Sequence, residues 1–538
     1  MRVLDKSSIK ALLRARFAHE EKRLADIPDP ALLKDAPKAA KRVARAIFSG
    51  ERIAVVGDYD VDGVVSTAIM VDFFKCIGYP LQAVIPNRFS DGYGVSPSVL
   101  ERIDADVVIS VDNGITAREA AEVCKERGCD LIITDHHTPP KVLPDAYAII
   151  DPKQEDCSYP FKEICGAEVA WLFLALLKRE LQADVDMRSF IDILSIAIIA
   201  DIMPLVDINR TLVREGLRQI MRSTRPACVI IRDFLNKSRI TSEDIAFQIA
   251  PRLNSAGRLE DASIALDFLC AESTYKAYEM FEKLSSLNEF RKETEAEAVA
   301  QALELVGESD EDIIVVAKEG WHEGVVGIVA SRLVDRLGKP AVVLSIDGEE
   351  AKGSARSLGE VDIFALIDAN REFLEKFGGH KMAAGVSLKR ENISAFKEAL
   401  NVSASKLPRS AFIPKDEIMG ILPAEVIDFE LLELLESFEP YGEANIRPKF
   451  LAKDAKVVSV QRFGSDRSHS RVTLQLQPGD TRTHDFTVFK RVIDPKEHSH
   501  LTCSYTISKN EYNNRVSIQL LVSKIYDEEE SDVHACRG

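Results

Sequence analysis

Among the nine cysteines there is no CxxC pair, and no apolar run is long enough to cross a bilayer. The first absence argues against a zinc or disulfide framework. The second excludes a helical membrane anchor, because the most apolar stretch, residues 190–205, is short and broken by Asp192 and Asp201. No secretion leader is legible before Lys6 and Lys10, so a reducing cytoplasm is the expected home. Basic charge is also scarce, 69 Lys and Arg against 86 Asp and Glu, a formal charge of -17. A protein coated for nucleic acid would show the opposite balance.

The charge is not evenly spread. Between Tyr441 and Ile493 ten Lys and Arg stand against five Asp and Glu, in a segment of short alternating runs such as RVTLQLQ and HDFTVF. A basic β module on an acidic chain is expected there, of the size of an OB barrel, followed by a solvated acidic tail at 528–538.

The first half repeats one pattern, a short β-rich run, an aspartate, then helical periodicity. It appears as IAVVGD, DVVISVD, DLIITD and AYAIID, and the helical SIAIIAD ends the same way at Asp201. Strands alternating with helices imply a parallel α/β sheet whose ligands gather at the carboxyl ends of its strands. From residue 271 to 306 there is neither Gly nor Pro, and apolar residues recur at helical spacing. One connecting helix of about 50 Å is expected, at roughly 1.5 Å per residue. A second, smaller α/β domain should follow, to about residue 408. The resulting division is a 1–45 helical segment, a 46–270 catalytic domain, a 271–308 helix, a 309–408 domain and a 409–527 barrel.

DYDVDG, with Asp58, Asp60, Asp62 and Gly63, looks like half of a calcium loop. An EF-hand needs a bidentate glutamate at its twelfth position, and that position is Ile69. Three carboxylates beyond a buried strand need another partner. TDHHTPP places His136 and His137 after another strand-end aspartate, and Asp112 and Asp201 end neighbouring elements. Carboxylates that converge without basic residues repel, and cations relieve them. Oxygen ligands with one imidazole suit Mn²⁺ or Mg²⁺. The ligands are too many for one ion that must also hold water and substrate, so two ions about 3.5–4 Å apart are expected, the arrangement of phosphoester hydrolysis.

DYDVDG, SVDNG, TDHH and AIIADIMPL, followed by GSARS and FGGHKMAAG, resemble in type and order the DHH/DHHA1 phosphoesterases. APRLNSAGRLEDA and the basic β module resemble the branch that removes nucleotides from single-stranded DNA in the 5′ to 3′ direction, in DNA repair and recombination. The resemblance implies an α/β protein with a parallel-sheet DHH domain, a long connecting helix, a DHHA1 domain and a carboxyl-terminal OB-like barrel. It implies metal ligands at Asp60, Asp62, Asp112, His136 and Asp201, with Asp58 in addition. The catalytic set would be Asp62, Asp112 and His137, the last facing the scissile phosphate. Arg88, Ser354 and Arg356 would hold the 5′ phosphate, Asn254 and Arg258 would line the strand's path, and His380 would lie where the second domain closes.

Two positions depart from the branch. PYGEANIRP carries Glu443 and Ala444 where Pro-Gly is usual, and Asp151–Pro152 stands for Asn-Pro. Phe463 or Tyr512 could stack bases on the barrel. Competing readings for single residues are a solvated Arg88, an ion pair of Arg258 with Glu260 or Asp261, and a structural His322.

The expected reaction is hydrolysis of single-stranded DNA from its 5′ end to 5′ mononucleotides by a monomer. Single-strand-binding protein and repair helicases are partners implied by the resemblance alone. One alternative is a relative acting on short oligonucleotides, 3′-phosphoadenosine 5′-phosphate or cyclic dinucleotides. Another is a scaffold that binds single strands without cleaving them.

Overall fold

The structure is a computed structural model that describes residues 1–17, 22–414, 417–464, 467–494, 499–512 and 515–526, without the side chains of Tyr512 and Arg515. Five short strands, β1 (Ile53–Val56), β2 (Gln82–Val84), β3 (Val107–Val111), β4 (Asp130–Thr134) and β5 (Ala148–Ile150), form one sheet in the order β2-β1-β3-β4-β5. Every pairing is parallel. Residues of β1 and β3 are buried on both faces, as β-branched strands between helical layers should be. One apolar core lies between the sheet and helices that include Ala36–Ser49, Val61–Cys76 and Gly166–Leu181. The other face is covered by helices Pro97–Leu100 and Arg118–Arg127. Strand order reverses between β1 and β3, and a crevice opens at the carboxyl ends there.

Helix Thr274–Val306 runs for 33 residues without interruption, through Ser285 and Ser286. Ala277, Phe281 and Leu284 in its first half belong to the core of the first domain. Ala298, Val299 and Ala302 in its second half pack with helix Val326–Leu337 of the next. That domain is a mixed sheet, β6 (Ile314–Glu319), β7 (Ala341–Asp347), β8 (Glu350–Arg356), β10 (Ala383–Lys389) and β9 (Lys376–His380) in spatial order.

The last module pairs β11 (Ile418–Ile421) with β12 (Lys449–Phe463) and continues through β13 (His469–Gln475), β14 (His484–Val488), β16 (Arg515–Tyr526) and β15 (His500–Tyr512). Because β15 also pairs with β12, the last five strands close into a barrel. Two features differ from expectation. The module is not all-β, since helix Phe429–Ser437 covers its core through Leu431, Leu432 and Leu435. Its amphipathic Leu pattern precedes the alternating runs from which the barrel was expected.

The 1–45 segment is also not one unit. Helix Lys6–Ala15 buries Ile9 and Leu13 in the barrel module's core, and Leu4 donates its N–H to Ile421 O, which joins the two ends of the chain. Leu33 and helix Ala36–Ser49 instead pack into the first domain. Local periodicity identifies a helix but not the core that receives it.

Candidate active site and metal centre

β1 ends just before Gly57, and the chain then delivers its three aspartates in three different attitudes. Asp58 turns beside its own successor, accepting the Tyr59 N–H at 2.8 Å. Asp60 caps helix Val61–Cys76, accepting from the amides of Asp62 and Gly63 at 3.0 and 3.1 Å. A Cβ on Gly63 would lie 2.5 Å from the Asp58 nitrogen, so only glycine lets this loop fold back so tightly. Asp62, in the first turn, accepts from Gly166 N at 2.6 Å and Ala167 N at 2.9 Å. Those amides open helix Gly166–Leu181, whose positive end favours a carboxylate.

Asp112 follows β3 with φ 62, a left-handed backbone held by its surroundings. Asn113 holds it there, accepting the Val95 N–H at 2.8 Å and donating to Val56 and Val111 oxygens at 3.1 and 2.9 Å. Gly166 leaves the space for this carboxylate, since a Cβ there would stand 2.5 Å from Asp112 Oδ1.

After β4 the two histidines separate in role. His136 is buried and its Nε2 lies 3.2 Å from Asp112 Oδ1, 3.6 Å from Asp201 Oδ2 and 3.7 Å from Asp62 Oδ2. Asp135 does not join these carboxylates. Its Oδ1 accepts from the amides of His136 and His137 and, at 2.7 Å, from His137 Nδ1, while Oδ2 accepts from Ile115 N at 2.8 Å. The aspartate expected to converge with the rest is thus a holder of His137. Burial works against the His137 cation, but the bond and charge of Asp135 outweigh it and lift the imidazole's pKa to about 9.

Ligand atoms of Asp58, Asp60 and Asp112 lie within 4.8 Å of one another, as do those of Asp62, His136 and Asp201. A third group, Asp112, His136 and His137, links the two. Asp112 Oδ1 and Asp201 Oδ2 are buried and accept no hydrogen bond. Orphan acceptors of this kind require a partner that protein side chains do not supply. Burial, and then the neighbouring carboxylates, push Asp58 and Asp112 well above the usual carboxylate range, Asp60 upward and Asp201 to about 9. Burial lowers the His136 pKa, which leaves a neutral imidazole. Six oxygen and nitrogen side chains in two adjoining groups fit a pair of hard divalent cations, with the imidazole suiting manganese.

Three arginines face this acidic cluster from both domains. Arg88 lies over the Tyr59 ring, its guanidinium carbon 5.4 Å from the centroid. Arg258 ends helix Ala250–Leu259, where burial and the repulsion of Arg88, Arg291 and Arg356 bring its pKa down to about 10 against the pull of Asp60. Arg356 on β8 donates to Ser354 Oγ at 2.5 Å. Among the described residues none of these three arginines forms an ion pair. The carboxylates nearest to Arg258 in the chain are occupied elsewhere. Glu260 pairs with Lys283 at 3.0 Å, and Asp261 accepts the Ser263 N–H at 2.8 Å. Uncompensated guanidinium groups beside a cation site are suited to phosphate.

Asn254 Oδ1 accepts the Val61 N–H at 3.2 Å, so it fastens the ligand loop as well as lining the adjoining cleft. His322 accepts the Gly324 N–H at 3.0 Å and meets Phe89 edge-on, a bracing role. His380 is exposed at the end of β9 and makes no side-chain hydrogen bond, ion pair or ring contact among the described residues. The Tyr512 side chain lies outside the described residues. Phe463 sits 5.2 Å from His469 and 6.2 Å from Phe489 on the barrel, beneath Arg471.

Sequence reasoning missed Gly166, Ala167, Asn113 and Tyr93, whose ring meets those of Tyr59 and His137. The one local signal was the glycine opening an apolar helix in CGAEVAW, where a side chain would ordinarily be tolerated.

A cleft of about 1200 Å³ leads away from the arginines, between the first domain, helix Thr274–Val306, helix Val326–Leu337 and the barrel module. Lys and Arg outnumber Asp and Glu along its walls. Its positive balance reverses that of the whole chain.

Comparison with known proteins agrees with this architecture piece by piece. Residues 52–198 match the DHH family, N-terminal domain, residues 310–406 the DHHA1 domain, and residues 418–524 the RecJ OB domain. The single-stranded-DNA-specific exonuclease RecJ of Bacillus subtilis is 36% identical over 93% of this chain, which spans 64% of that relative. The Haemophilus influenzae protein of the same name is 30% identical, over 96% of this chain and 95% of its own length. Crystal structures of RecJ from Thermus thermophilus in complex with Mn²⁺ and with Mg²⁺ superpose with TM-scores of 0.80 and 0.76, at 28% and 26% identity, covering 98% of this chain and 79% and 78% of theirs. With these three domains in the same order and relatives of this identity over most of their length, the chain belongs to the RecJ family of single-stranded-DNA-specific exonucleases.

Proposed function

We propose that this chain hydrolyses single-stranded DNA from the 5′ end and releases 5′ mononucleotides. The observation that carries the reading is the juxtaposition of a carboxylate and imidazole cluster with Arg88, Arg258 and Arg356, from two domains, none of them in an ion pair among the described residues. A cation site alone would serve many hydrolases. An adjoining pocket for a dianion selects a substrate that ends in phosphate.

In this reading Asp58, Asp60, Asp62, Asp112, His136 and Asp201 hold two divalent cations, Mn²⁺ or Mg²⁺. When bound, these supply Lewis acidity, which makes a nucleophile of water at neutral pH and offsets charge on the phosphoryl oxygens. Asp62 keeps its orientation through the Gly166 and Ala167 amides, and Asp112 through Gly166's missing side chain. Arg88, Arg356 and Ser354 bind the terminal phosphate and set the register of the chain end. Arg258 and Asn254 guide the next residues of the strand. His137, kept protonated by Asp135, donates to a phosphoryl oxygen or to the departing 3′ oxygen. His380 would reach the strand only when the second domain closes.

The basic cleft and the barrel hold the strand behind the site, and a duplex is excluded by width. The same reading carries domain limits of 33–270, 271–308, 309–408 and 409–527, with residues 1–15 assigned to the barrel module and an acidic tail at 528–538, outside the described residues. It also carries a monomer in the cytoplasm, working with single-strand-binding protein and repair helicases. Among the described residues no helix is long and apolar enough to cross a membrane.

The test gives the purified protein Mn²⁺ and single strands labelled at either end, with a cyclic dinucleotide in parallel. Mononucleotides should come first from the 5′ end, and Asp62→Ala should reduce the rate by about 10³ or more through loss of a cation ligand. Release from the 3′ end, preference for the cyclic dinucleotide, or activity surviving in Asp62→Ala would overturn the reading.

A further inference from the structure

The chemistry above leaves Phe247 unused, although it is 78% exposed in a cleft whose walls mix apolar side chains such as Met203 and Ile446 with charged ones. Its exposure has a backbone cause. Residues Ile245–Ile249 form a π-helical turn, in which the Ala250 N–H reaches back five residues to Ile245 O. Pro251 has no N–H to offer the Phe247 carbonyl, and its ring presses on that carbonyl four residues back, so the α-helical bond pattern cannot continue. The wider turn keeps Ile245 and Ile249 fully buried while turning the residue between them outward. Wide turns of this kind gather at functional sites.

Ala250, Asn254 and Arg258 share a helical face at spacings of four residues, the wide turn brings Phe247 to the same side, and all four line the cleft. Arg258 reaches the phosphate pocket. Eleven residues separate the two ends of this stripe, about 16 Å at roughly 1.5 Å per residue. The cleft's walls also carry Lys292 of the connecting helix, Arg336 of helix Val326–Leu337 and Lys490 of the barrel. An aromatic ring among cations that can follow a phosphate backbone is the recurrent composition of single-strand grooves. Because every base has a π face, such a ring holds a strand without reading its sequence.

We propose that Phe247 is a stacking platform for a base several nucleotides behind the scissile bond, a positioning residue for substrate strands long enough to reach it. The inference rests on the single-strand exonuclease reading and adds a subsite to it. Two measurements test it with the full chain in Mn²⁺. In the first, an abasic site is moved one nucleotide at a time from the 5′ end of a strand, and release of the first nucleotide is timed. The wild-type protein should show one interior position where the abasic site raises KM, by about five- to a hundredfold.

In the second, Phe247→Ala should raise KM on a long strand to a similar extent, leave kcat within about twofold and lose the sensitivity at that position. Phe247→Trp should restore it and Phe247→Leu should not, and dinucleotides, too short to reach the ring, should be cleaved equally by all. An unchanged KM in Phe247→Ala, full rescue by leucine, a loss confined to kcat, or an equal loss on dinucleotides would overturn the role. Failure of the wild-type protein to degrade single strands would instead sink the exonuclease reading itself.

Discussion

Within one tripeptide, Asp135, His136 and His137 are given three tasks by their hydrogen bonds alone. His136, buried and neutral, points Nε2 at Asp62, Asp112 and Asp201. Asp135 commits both oxygens to four donors and has no capacity left for a cation. His137 is the beneficiary, half-exposed and with a pKa raised to about 9 through Asp135. If His137 acts as a proton donor, activity should fall as pH rises through its pKa. Asp135→Asn removes the charge that sustains the imidazolium, so the alkaline limb of the pH–rate profile should move to lower pH. The rate at the optimum should drop by about 10²–10⁴, the usual contribution of a positioned acid. A variant with an unmoved alkaline limb would assign that limb to another group.

Among the elements, helix Thr274–Val306 does the most to relate the site's two halves. Arg88 and Arg258 belong to the first domain, Ser354 and Arg356 to the second, and this helix packs in both cores. Its Glu295 is the local junction, accepting from Arg291 at 2.7 Å on the same helix and from Arg332 at 2.8 Å on helix Val326–Leu337. Arg291 and Glu295 are both 8% exposed, so the pair is shielded from water. Glu295→Ala would leave the Arg291 guanidinium buried without a carboxylate, and urea unfolding should show a loss of about 3–5 kcal/mol. A cost below about 1 kcal/mol would mean that water reaches the pair in solution.

For the whole molecule, the cation cluster is a source of instability until it is filled. Asp58, Asp60, Asp112 and Asp201 all have pKa values raised in the folded protein, Asp201 to about 9, while unfolded aspartates titrate near about 4. A proton held more tightly by the folded state stabilises it fully at low pH, and that stabilisation is lost as pH rises through the folded values. His136, held neutral by burial, acts in the opposite sense only around and below about pH 6.5. In chelator the melting temperature should therefore fall between pH 7 and 9, and saturating Mn²⁺ should remove the carboxylates' part of the fall by taking the place of the protons, leaving the smaller part that His137 contributes. Equal slopes with and without metal in scanning calorimetry would contradict this account of the cluster.

What was legible in the sequence follows from local rules. Strand–aspartate–helix repeats imply a parallel sheet with carboxylates at one edge, and Asp58, Asp60, Asp62, Asp112 and Asp201 are found there. Their types, and the absence of a glutamate at position 69, where Ile69 stands, were enough to exclude a calcium loop and indicate manganese or magnesium ions. Three matters were decided only by the tertiary structure. Asp135 was removed from the cluster because amides happen to satisfy it, whereas Asp62 is aimed by amides more than a hundred residues away. The first fifteen residues joined a core whose other members lie beyond residue 420, and Phe247 was turned into a cleft whose far wall comes from other domains. Periodicity and residue type are properties of neighbours along the chain. Which donor satisfies a carboxylate, and which face meets water, depend on groups that only folding brings within a few ångströms.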